Sequence, residues 1–72
     1  MAVAYAYRGA IHLHRGDSKQ AIADCGRAVE LDPKLALAYW NRGLAYARQG
    51  DYQHAEADQR KALELNPSFG QQ

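Results

Sequence analysis

Residues 38–67 read AYWNRGLAYARQGDYQHAEADQRKALELNP, and this stretch decides the fold because most of the remaining chain is a looser copy of it. Shifted by 34 residues, Tyr5 falls on Tyr39, Arg8 on Arg42, Gly9 on Gly43, Gly16 on Gly50 and Asp17 on Asp51. The register continues through Ala21/Ala55, Asp24/Asp58, Ala28/Ala62, Glu30/Glu64, Leu31/Leu65 and Pro33/Pro67. With Ala2/Ala36, Ala4/Ala38 and Ala23/Ala57 added, 14 of 34 aligned pairs are identical, which chance does not explain. A fixed internal period of this length marks a tandem repeat whose units stack on one another.

Each unit reads as two helices. Residues 2–15 are alanine-rich and carry apolar groups at both three- and four-residue spacings, as a helix with more than one buried face does. Gly16-Asp17 ends it, because glycine tolerates the left-handed closing conformation and Asp17 or Ser18 can cap the next helix. Residues 18–32 then place Ala21, Ile22, Cys25, Ala28 and Val29 on a helical period, and Pro33 stops the run because it lacks a backbone N–H. The cycle restarts with a helix at about 36–49, the Gly50-Asp51 turn, a helix at about 52–65, and Pro67. The expected fold is all-α, an α-solenoid of two helix-turn-helix repeats with four antiparallel helices joined by short turns. Gly9 and Gly43 fall in mid-helix, where glycine costs about 1 kcal/mol relative to alanine. A cost repeated at one phase implies that another helix passes close to each backbone.

Composition narrows the function. The 72 residues are 47% hydrophobic and 24% charged, the balance of a folded chain rather than a disordered one. Net charge is +1 and evenly spread, with five Lys/Arg against four Asp/Glu in residues 1–34 and four against four in residues 35–72. No basic stripe exists to hold a phosphate backbone, so nucleic acid is not an expected partner. No apolar run is long enough to span a membrane, so a membrane is not one either. Cys25 is the only cysteine, which forbids an intrachain disulfide and suits a reducing compartment. The expected location is cytoplasmic, with a secreted parent whose signal peptide lies outside this chain left open.

With these positions in hand, the chain resembles two tetratricopeptide repeats. The first copy supplies Tyr5, Arg8, Gly9, His12, Ala21, Cys25, Ala28 and Pro33 to that pattern, and the second supplies Tyr39, Arg42, Gly43, Tyr46, Ala55, Gln59, Ala62 and Pro67. The match covers residues 2–67. It implies one domain over 1–72, with repeat one at about 2–34, repeat two at about 36–68 and a short tail at 69–72, stacked with a right-handed superhelical twist. Two departures stand out. The family usually has a bulky apolar residue before the helical glycine, where this chain has Arg8 and Arg42. Both copies also carry an aspartate in the second helix, Asp24 and Asp58, so each arginine is expected to pair with the aspartate of its own repeat.

Candidate chemistry is sparse. His12 and His14 are two apart and diverge on a helix, which argues against a shared metal ion. His12 has the phase of Tyr46 and reads as a packed core side chain, Cys25 reads as a small buried hydrophobe, and His54 as a solvated residue. Nothing resembles a phosphate loop, a nucleophile elbow or a paired-carboxylate site, so no catalysis, metal or cofactor is expected.

Binding is the better expectation. In tetratricopeptide stacks the first helices of successive repeats line a concave groove, and the resemblance assigns to it Val3, Ala6, Tyr7, Ala10, Leu13 and His14, then Leu37, Trp40, Asn41, Leu44, Ala47 and Arg48. Of these, Tyr7, Ala10, Leu13, His14, Leu37, Trp40, Asn41, Leu44 and Arg48 are the partner-binding candidates. Trp40 and Tyr7, with Leu44 and Leu13, would make an apolar strip with a polar edge, the usual sign of a protein partner. The plainer alternative is that Trp40 packs against a neighbouring helix. Asn41 stands where the subfamily that clamps the acidic tails of heat-shock chaperones has an asparagine. That clamp also needs a lysine and an asparagine where this chain has Ala6 and Ala10. An extended peptide or helix held by apolar and amide contacts is therefore the expected ligand, with Arg48 free to meet one acidic side chain.

The two ends differ. Ile22, Cys25 and Gly26 become Glu56, Gln59 and Arg60 in the second copy, as suits a C-terminal repeat facing water, with Phe69 folding back over the last helix. Ile11 and the tyrosine-rich start look uncovered. Two repeats are also fewer than the about three an array normally needs. Either the chain is cut from a longer array, or it gains surface as a homo-oligomer by self-association or by exchanging helices between copies, the structural alternative to peptide binding.

Overall fold

The computed structural model describes residues 1–71, and Gln72, the last residue of the expected tail, lies outside them. Four helices follow one another, α1 (Ala2–His14), α2 (Ser18–Leu31), α3 (Ala36–Arg48) and α4 (Tyr52–Leu65), and a 3₁₀ turn closes the described chain at Pro67–Gln71. Each lies within about a residue of its expected span. No helix among the described residues is long and apolar enough to cross a membrane.

The turns are duplicated atom for atom. Gly16 and Gly50 adopt φ of 83° and 81°, the left-handed region that a side chain resists. Around them Gly16 N–H donates to Leu13 O at 3.0 Å and Asp17 N–H to His12 O at 2.8 Å, and Gly50 and Asp51 repeat this on Ala47 O and Tyr46 O at 3.0 Å each. These paired bonds satisfy last-turn carbonyls that the helix itself leaves open. The same aspartates then cap the next helix, Asp17 accepting from Gln20 N–H at 3.2 Å and Asp51 from His54 N–H at 3.3 Å.

The second type of stop is equally regular. Asp32 and Asn66 are extended, as residues before proline must be, with φ of −145° and −149°. Their side chains accept from Lys34 N–H at 3.1 Å and Ser68 N–H at 3.2 Å. Phe69 thus stands where Leu35 stands one repeat earlier.

Packing rests on small residues. Eight of the eleven buried hydrophobic residues described are alanines, the others being Leu13, Cys25 and Tyr39, so the helices approach closely. Ala6, Ala28 and Ala38 form one cluster, walled by Ala2, Tyr5, Val29, Leu35 and Leu37. Leu13, Ala21 and Ala45 form a second, walled by Ile22 and Leu44. Both clusters join α3 to the first hairpin. The mid-helix glycines mark the closest approaches. A methyl group on Gly9 would stand 2.5 Å from Cys25 Sγ and 3.2 Å from Ala21 O, and one on Gly43 would stand 3.2 Å from Ala55 O.

Candidate functional site

The internal geometry of each repeat comes first, because it fixes which side chains remain to meet a partner. Arg8 donates through Nε and Nη2 to the two carboxylate oxygens of Asp24, both at 2.8 Å. Arg42 grips Asp58 in the same way at 2.8 and 2.9 Å. Two parallel bonds between planar groups suit guanidinium and carboxylate, and each arginine also lies over its repeat's tyrosine, 5.2 Å from the Tyr5 ring and 5.7 Å from that of Tyr39. The hydrogen bonds from Arg8 hold the Asp24 carboxyl below its ordinary range, and the matching bonds to Asp24 and Asp58 raise Arg8 and Arg42 further. These pairs join helices, as the repeated Arg and Asp positions imply.

His12 corrects the sequence expectation of a core side chain. It is only half-buried, with Nε2 3.5 Å from Asp24 Oδ2, because the arginine pair draws a carboxylate to its phase. Tyr46, at the matching phase, stacks on His54 with ring centroids 5.0 Å apart. Cys25 is fully buried, and burial pushes its thiol up to about 11, away from nucleophilic use at neutral pH.

With those groups paired inside the repeats, the expected binding residues divide by exposure. Leu13 and Asn41 are buried, at 4% and 7% exposed. Leu13 sits in the second apolar cluster, and the Asn41 side-chain amide donates to Ala6 O of α1 at 3.4 Å. Arg48 is exposed, yet its Nη1 donates to Leu13 O at 3.0 Å, placing a cation on the last turn of α1 where the helix dipole favours one. Asn41 and Arg48 are seven residues apart, two helical turns, so they staple α3 to α1 at two levels. Their amide and guanidinium donors therefore serve the contact between repeats. Ala10, Leu37, Trp40, Leu44 and Ala47 are half-covered, and Tyr7 and His14 are exposed.

Tyr7 stands apart from the rest. Its counterpart in the second repeat is Asn41, so it lies on the side of α1 that corresponds to the side of α3 docked on the first hairpin. Trp40 is stacked on Phe69, ring centroids 5.3 Å apart and planes 10° from parallel. The reading of Phe69 as a cover for the last helix missed this contact. The signal was present in the repeat register, since Phe69 aligns with Leu35 and Trp40 with Ala6, and Leu35 packs against the Ala6 cluster.

On α3 the half-covered Leu37, Trp40, Leu44 and Ala47 follow at three- and four-residue spacings as one apolar strip, with the exposed Arg48 at its end, and Ala10 and His14 hold the places of Leu44 and Arg48 on α1. It offers van der Waals contact and an aromatic face. A family model described as TPR repeat matches residues 9–50, and one described as Tetratricopeptide repeat matches residues 36–69. A search of curated proteins finds no match to the chain.

Proposed function

The chain belongs to the tetratricopeptide repeat family, whose repeats generally mediate contacts between proteins, and on that premise we propose that the strip between α1 and α3 binds a peptide or helix of another protein. In this reading the whole chain acts as one two-repeat module, a scaffold without catalytic chemistry, working in the cytoplasm where the lone thiol of Cys25 stays reduced. Ala10, His14, Leu37, Trp40, Leu44 and Arg48 are the contact residues, with Leu13 and Asn41 supporting them from beneath, while Tyr7 lies on another side of α1.

The observation that carries the proposal is Trp40. It is half-covered, flanked by Leu44 one turn along the same side of α3, and supported on one face by Phe69. A large aromatic held rigidly at a surface loses little entropy on binding, which is why such residues dominate interfaces. The ligand takes its chemistry from what is left exposed. Asn41 Nδ2 is committed to Ala6 O, so apolar side chains supply most of the contact, and an acidic group suits the end with His14 and Arg48.

Selection of peptides from a displayed library on the immobilised chain tests this. Selected peptides should quench or shift the emission of the sole tryptophan. Trp40→Ala should weaken them by roughly 30-fold, the equivalent of a hot-spot residue. Affinity unchanged by Trp40→Ala removes the proposal.

A further inference from the structure

Neither α1 nor α3 carries an acidic residue, and all eight aspartates and glutamates of the chain lie on α2, on α4 or in the turns. The charged groups of the first helices are therefore arginines and histidines alone, and two of the arginines are already paired. Arg8 and Arg42 grip Asp24 and Asp58, and on the second helices Arg27 meets Glu30 and Arg60 meets Glu56. Arg48 differs. It is exposed, no carboxylate reaches it among the described residues, and the bond to Leu13 O that orients its guanidinium takes one of five N–H donors. An aimed cation on an acid-free side suits a carboxylate from outside the chain.

The strip that leads up to Arg48 has the pattern of a helix-packing surface. Leu37, Trp40, Leu44 and Ala47 are half-covered and spaced three, four and three, the seam spacing of two packed helices, and Arg48 flanks that seam where charge selects the partner. An extended peptide fits less well. Leu37, Leu44 and Ala47 carry no hydrogen-bonding side chain, and the Asn41 amide is committed to Ala6 O, so an extended backbone laid along them finds little to pair its N–H and C=O groups. A helix pairs its own. We propose that the strip takes an amphipathic helix of another protein with an acidic edge, lying along α3 with an Asp or Glu at Arg48. This rests on the reading of the strip as a binding site and adds the partner's conformation and charge.

Other occupants match this charge less well. In a second copy α1 and α3 have no acid to bring to Arg48, and the apolar faces of α2 and α4 are already buried, at Ala21, Cys25 and Ala28 and at Ala55 and Ala62. The chain's own Pro67–Gln71 stacks Phe69 on Trp40 but holds no acid. Spacing separates the two peptide conformations. Trp40 and Arg48 are eight residues apart, about 12 Å along α3. A partner helix covers that length in about eight residues. An extended chain, at about 3.3 Å per residue, covers it in about four.

Selection on the immobilised full chain from two displayed libraries tests this, one of stable amphipathic helices with randomised faces and one of unstructured peptides. Binders should come from the helices, with Asp or Glu enriched about eight positions from an apolar anchor. A synthetic copy of a binder should lose roughly threefold to fivefold in affinity when that acid becomes its amide, the size of an exposed ion pair. Arg48→Gln, which leaves an amide to reach Leu13 O, should cost the same, and the two changes together no more than either alone. A proline at the centre of the peptide should abolish binding. Binders from the unstructured library alone, an acid about four positions from the anchor, lysine in place of acid, or additive losses would overturn the acidic helix. If such binders are still weakened by Trp40→Ala, the proposed function stands without the helix. Binders indifferent to Trp40→Ala, or none from either library, remove both. A chain that dimerises without peptide and loses the dimer on Trp40→Ala gives the strip to a second copy and overturns the helix as well.

Discussion

Arg8 and Arg42 show how one residue type in one geometry takes two energetic roles. Both hold an aspartate whose side chain is 8% exposed, but Arg42 is largely shielded and Arg8 is not. Water screens the first pair less than the second when the pairs are taken as Arg42–Asp58 and Arg8–Asp24. A double-mutant cycle on Arg42 and Asp58 should therefore return a coupling of roughly 0.5–3 kcal/mol by urea unfolding, and the Arg8–Asp24 cycle a smaller one. Asp24 also sets a pH dependence. Its folded carboxyl lies below its usual 3.8, first because of the hydrogen bonds from Arg8, so its contribution is complete above that value and is lost as pH falls through the lowered one. Asp51, held low by hydrogen bonds from His54, acts in the same direction. Acid unfolding followed by circular dichroism should begin below about pH 4, and Asp24→Asn should flatten its slope while lowering stability at neutral pH. Gly9 argues from space rather than charge. Alanine there would gain about 1 kcal/mol of helix propensity, but its methyl would press on the fully buried Cys25 sulfur. Net destabilisation of Gly9→Ala is the expected outcome, at about 1–3 kcal/mol of overpacking before that gain, and a rise in the urea midpoint would contradict it.

Among the elements, α3 is the one that makes a pair of hairpins into a stack. It is fastened to α1 at Ala6 O by Asn41 and at Leu13 O by Arg48, and both carbonyls belong to the backbone, so the attachment is insensitive to which side chains α1 carries. Removing either donor should cost about 1 kcal/mol and raise amide hydrogen exchange in α1 more than in α4. The 3₁₀ turn after α4 repeats the turn after α2 through its Asn66 side chain, and it delivers Phe69 to Trp40 as the earlier turn delivers Leu35 to the Ala6 cluster. Phe69→Ala should red-shift Trp40 emission and cost roughly 0.5–1.5 kcal/mol beyond the lost area, whereas an unchanged spectrum would mean that the rings do not stack in solution.

For the molecule as a whole, the helices, their stops and their pairing within each repeat were legible in the linear chain, because each depends on local rules. Glycine at φ above 80° closes two turns, proline after an extended residue closes the others, and Arg–Asp pairing follows from a spacing that recurs at 34 residues. The polar end was legible for the same reason at Glu56 and Arg60, which are exposed where Ile22 and Gly26 are half-buried, whereas Gln59 is half-buried against Gly43 where Cys25 is buried against Gly9. The candidate site was only partly so. Repeat register alone cannot distinguish a residue that faces a groove from one that faces the next repeat, and Tyr7, Leu13 and Asn41 fall on that boundary. His12 and Phe69 were legible only in part for a related reason, since each also answers to a partner on another element, Asp24 and Trp40. What the sequence determined by itself was two copies of a helical hairpin with small, close-packed faces, because periodicity and turn chemistry act within a few residues. The tertiary structure alone decided which donors are consumed between repeats and which apolar side chains stay exposed, because exposure depends on what the neighbouring hairpin covers, and that is set by contacts 35 residues apart in sequence.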